Sequence, residues 1–131
     1  MDYARLCLVP LQDPADWVWM PHAAHFICGP ACQYHLATWV GAYIVSTIGE
    51  LPRYPEEPGK PWQEIGAERT YETMVFRAAP SGRVCCPVEM ADSQEVDFAG
   101  YTSADDATQG HMHMCEKWSW RGPGEDELTD Y

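Results

Sequence analysis

"QYHLATWVGAYIVSTIGEL", residues 33–51, is the most informative apolar run in the chain, and its reading decides the fold. Helical spacing can be drawn through Leu36, Val40, Tyr43 and Thr47. Against a helix, Thr38, Val40, Ile44, Val45, Thr47 and Ile48 are all branched at Cβ, and Gly41 interrupts the run. Such branching removes rotamer freedom in a helix and fits a pleated surface. The run therefore predicts two strands joined by a tight turn near Val40–Gly41–Ala42.

Downstream, "RTYETMVFRA" (69–78) alternates Tyr71, Thr73 and Val75 against Glu72, Met74 and Phe76, as in a strand apolar on much of both faces. Ser81-Gly82 marks a turn. "QEVDFAGY" (94–101) sets Val96 and Phe98 against Glu95 and Asp97, the pattern of a half-buried strand. Upstream, "RLCLVPL" (5–11) predicts a short first strand held to an edge by Pro10, and the Pro- and Trp-rich stretch 13–30 reads as ordered loop. Prolines at 52, 55, 58 and 61 make "LPRYPEEPGKP" an exposed connection in which neither helix nor ladder pairing is expected.

The last element is a helix. Ser103 precedes "ADDATQGHMHMCEKWSW", and Asp106 stands where a capping box would have Glu. Asp105 and Asp106 sit at the positive end of the helix dipole, with Lys117 and Arg121 near the negative end. Ala107, His111, Met114, Cys115 and Trp118 recur at helical spacing and form one apolar stripe. Gly122-Pro123-Gly124 stops the helix. The sum is an α+β domain over residues 1–121, an antiparallel sheet of about four or five strands with one helix packed on one face, followed by an acidic flexible tail at 122–131.

The chain has 131 residues, enough for one core, and its 20 acidic against 8 basic residues give a net charge of −12. Phosphate backbones and anionic membranes call for clustered Lys and Arg, so neither nucleic acid nor membrane is an expected partner. Solvation accounts for most acidic surfaces, and a basic partner or imitation of DNA accounts for others. No apolar run reaches the roughly eighteen residues of a membrane span, and the N-terminus lacks the pattern of a secretory signal. A reducing cytosol is then expected, which argues against a disulfide framework among Cys7, Cys28, Cys32, Cys85, Cys86 and Cys115.

The chemical candidates are histidines and cysteines. His111 and Cys115, four apart on a helix, could form one pair of zinc ligands, with Cys28 and Cys32 as the other. The spacing is not that of a standard zinc finger or ribbon, and free cysteine behaves as a small buried hydrophobe. Buried thiols are the favoured reading, and zinc a secondary one. Cys115 near a helix C-terminus has no activating dipole, and Cys85–Cys86 has only Arg83 nearby. No G-x-S-x-G, H-E-x-x-H, P-loop or G-x-G-x-x-G signature occurs. The expectation is a non-enzymatic protein without a cofactor. Trp39 and Trp118 read as core, whereas Trp17, Trp19, Tyr54 and Trp62 are candidate anchors for a partner protein.

The segments "YIVSTIGE" (43–50), "IGAERTYETMVFRA" (65–78) and "DFAGYTSADDATQGHMHMCEKW" (97–118) resemble a group of small proteins encoded by bacteriophages of actinobacteria. That group shares V-S-T-[VI]-G-E, Y-E-T-M-V-F and a final G-H-x-x-M-C-x-K-W helix. The resemblance covers roughly residues 22–120. It implies a phage product acting in the host bacterial cytoplasm, or in the virion as a structural or accessory protein, and it carries over no catalytic residue. The combined expectation is an interaction factor that binds a host or phage protein. A zinc-stabilised binding domain and a DNA mimic stand as alternatives.

Overall fold

The computed structural model describes residues 13–22, 24–25, 29–82 and 88–122. The expected strand at 5–11, the Cys85–Cys86 pair and the tail from Pro123 onward lie outside these residues, as does Cys28.

Residues 33–51 form the hairpin that their branched side chains predict. Strand β2 (Tyr34–Val40) pairs antiparallel with β3 (Tyr43–Gly49), and Val40 opposite Tyr43 leaves a two-residue turn. Gly41 takes φ 69 there, a conformation that only glycine adopts without strain. All of β3 is buried, because it is the central strand of a five-stranded antiparallel sheet.

The sheet also contains β1 (Val18–Met20), β6 (Tyr71–Pro80) and β7 (Val88–Tyr101), in the order β1-β2-β3-β6-β7. β1 corrects the loop expected over 13–30. Three residues are too few to show a period, and pairing is available because β2 offers a free edge to Val18, Trp19 and Met20. A 3-10 turn at Pro14–Asp16, capped by the Asp13 carboxylate on Ala15 N–H, leads into it.

The proline-rich connection is a second correction. β4 (Pro52–Glu57) and β5 (Lys60–Trp62) pair as a separate two-stranded sheet. Proline removes one ladder donor, but in a two-stranded sheet each strand keeps one edge toward solvent, where no donor is needed. Gly59 (φ 79) turns the hairpin, and the ladder is irregular between Pro52 and Glu57. The Tyr54–Pro55 peptide bond is cis. Gln63 closes the hairpin's base: its N–H donates to Leu51 O and its side-chain amide to Pro52 O, each at 2.8 Å.

Helix α1 (Ala104–Ser119) starts where the capping pattern places it, with Ser103 Oγ accepting from Asp106 N–H at 3.1 Å. Its predicted stripe is buried: Ala107, His111, Met114, Cys115 and Trp118 all face the sheet. Met114, Cys115 and Trp118 join Val40, Tyr43, Val45 and Val75 in one core. Tyr43 and Trp118 meet edge to face at 4.7 Å. A smaller cluster of Trp39, Ile44 and Val88 lies apart from it, with Met20, Ala24 and Ala78 packed alongside.

One strand is turned over relative to its sequence pattern. Val75 pairs with Asp97 but Phe76 with Glu95, so Val96 is the extra residue of a bulge. Val96 still packs on the core beneath the helix, while Asp97 is buried and Phe98 is left 56% exposed. Alternation alone predicts the reverse.

Candidate functional site

Three places bring chemistry-bearing side chains together. The first lies between helix and sheet. His111 is completely buried, with Nε2 2.8 Å from Thr38 Oγ1 and Nδ1 2.6 Å from Thr47 Oγ1. Thr47 Oγ1 in turn lies 2.6 Å from Thr73 Oγ1. Thr38 also bonds the Cys115 thiol. Trp19 covers the imidazole at 5.5 Å between ring centroids. The neutral ring donates from one nitrogen and accepts at the other, so the polar groups of this apolar layer are satisfied in sequence.

Burial sets the protonation of this cluster. It lowers the His111 pKa to about 4 and pushes the Cys115 thiol up to about 12, only partly offset by the Thr38 hydrogen bond. Cys32 lines a different cleft of about 340 Å³ with His22 and His35. Among the described residues no group of three or more His, Cys, Asp or Glu side chains could hold an ion. Both side chains of the His111–Cys115 pair, the secondary zinc candidates, are fully buried in the layer between helix and sheet.

The second place is one that sequence reasoning missed. His25 Nδ1 is 2.8 Å from Ser46 Oγ, which also accepts from Ala24 N–H, and His25 Nε2 is 3.4 Å from Glu72 Oε1. Phe76 meets the imidazole edge to face. Hydroxyl, imidazole and carboxylate are the residue types of nucleophilic hydrolysis. Ser46, however, is fully buried on the central strand, so its oxygen is closed to a substrate. The trio fastens the segment around Ala24–His25 to the sheet. No motif spacing announces it, because its members come from a loop and two strands.

The third is the hairpin β4–β5, which carries two of the predicted anchors, Tyr54 and Trp62. Tyr54 is 93% exposed. The same hairpin carries a groove of about 550 Å³ walled by Pro52, Pro58, Pro61 and Trp62, with Arg53 and Glu57 among its polar lining. Arg53 Nη1 lies 3.4 Å from Glu57 Oε2, while Arg53 Nε is buried without an acceptor. Of the other two anchors, Trp17 is only 7% exposed and belongs to the core beneath the helix, a correction to its reading as an anchor. Trp19 is half exposed and lies over His111, away from the hairpin's sheet.

No helix among the described residues is long and apolar enough to cross a membrane. Compared with protein-family models, curated proteins and solved structures, the chain matches none.

Proposed function

We propose that this chain is a phage-encoded interaction factor that binds a host or phage protein through the β4–β5 hairpin. The carrying observation is the hairpin's surface: Tyr54 on β4 is 93% exposed, and the same hairpin carries a groove walled by three prolines and Trp62. Large aromatic rings concentrate binding energy at protein interfaces because they bury much area while immobilising few torsions. The wall prolines have fixed φ, so little freedom remains to be lost when a partner seats. The phage assignment rests on the resemblance of segments 43–50, 65–78 and 97–118 to the actinobacteriophage group.

The test is an affinity capture from infected and uninfected actinobacterial lysates with wild-type protein and a Tyr54→Ala/Trp62→Ala double variant. A partner enriched by wild type and lost with the double variant, which still melts cooperatively, supports the reading. Equal capture by both proteins overturns it. Recovery of the chain from purified virions by mass spectrometry would place its partner in the particle.

A further inference from the structure

We draw no further inference here: the strongest candidate, the sheet face opposite α1 on which Phe98 of β7 stands exposed beside half-buried Met74 of β6, carries nothing because nothing in the structure shows what covers it.

Discussion

His111 and Thr47 are joined by a 2.6 Å hydrogen bond that crosses from helix to central strand, and Thr38 holds the other ring nitrogen at 2.8 Å. The arrangement seats a neutral imidazole where a charged one has no counter-ion among its bonded neighbours. Burial lowers its folded pKa to about 4, against 6.5 for the exposed group. The unfolded chain therefore binds a proton that the folded chain refuses. Stability should be at its full value above about pH 6.5 and fall as pH drops toward 4, by about 3 kcal/mol from this group. Urea titrations at closely spaced pH values check this. In His111→Gln, whatever its absolute stability, the part of the slope owed to this imidazole should vanish, and an unchanged slope would refute the assignment.

Asp97 is the second fastening of the helix. Its Oδ2 accepts from the Trp118 indole N–H and from Lys117 Nζ, both at 2.9 Å, and its Oδ1 accepts from Phe98 N–H. Asp97→Ala leaves the buried indole donor unpaired and should cost roughly 2–4 kcal/mol. Asp97→Asn keeps an oxygen for Trp118 and should cost about half as much or less. Equal losses in the two variants, read by denaturant midpoint, would show that the indole bond contributes little.

Gly110 offers a test with an inverted sign. Replacing a helical glycine by alanine ordinarily stabilises by about 1 kcal/mol, because less backbone freedom is lost on folding. Here an added Cβ would fall within the Tyr101 ring. The Tyr101 ring is partly buried against the helix and has to move for the added Cβ to fit. Gly110→Ala should therefore lower thermal stability, by roughly 1–3 kcal/mol as overpacking does. A raised melting temperature would contradict the packing described.

Cys115 should be inert in the native protein. Burial raises its pKa to about 12 and its surface is closed to solvent, so almost no thiolate is present to react. Iodoacetamide followed by peptide mapping should label Cys115 only in denaturant. Rapid native labelling at neutral pH would mean that the helix lifts from the sheet.

Much of this architecture was legible because local signals agreed. The β-branched residues of 33–51 and the glycine between them specify a hairpin without reference to anything else. The helix carries its own cap at Ser103 and its own buried stripe, and each stripe residue is buried as its spacing requires. Where local signals were weak or conflicting, the expectation failed. β1 has three residues and owes its existence to the free edge of β2. The β4–β5 hairpin defeats the rule against proline in sheets because a two-stranded ladder leaves half its donors unused. Asp97 and Phe98 exchange expected faces because one bulge residue, Val96, shifts the register.

The candidate site divides in the same way. Tyr54 and Trp62 stood out as aromatic residues in a proline-rich segment, and in the structure Tyr54 is exposed while Trp62 helps to wall a groove. Trp17 looked identical in sequence and is core. The difference is not local: Trp17 enters β1 on the side covered by α1, while the hairpin lies in a sheet of its own.

Amino-acid order alone determined the central hairpin, the capped helix, its buried stripe and an acidic surface unsuited to phosphate. These depend on period, branching and charge, which are properties of neighbours along the chain. Tertiary structure alone decided which tryptophans are buried, that His111 is held by Thr38 and Thr47, that Ser46, His25 and Glu72 meet, and that Arg53 Nε lacks an acceptor. Each of those depends on groups distant in sequence competing for the same space and the same hydrogen bonds, and that competition is settled only when the strands and the helix are in place.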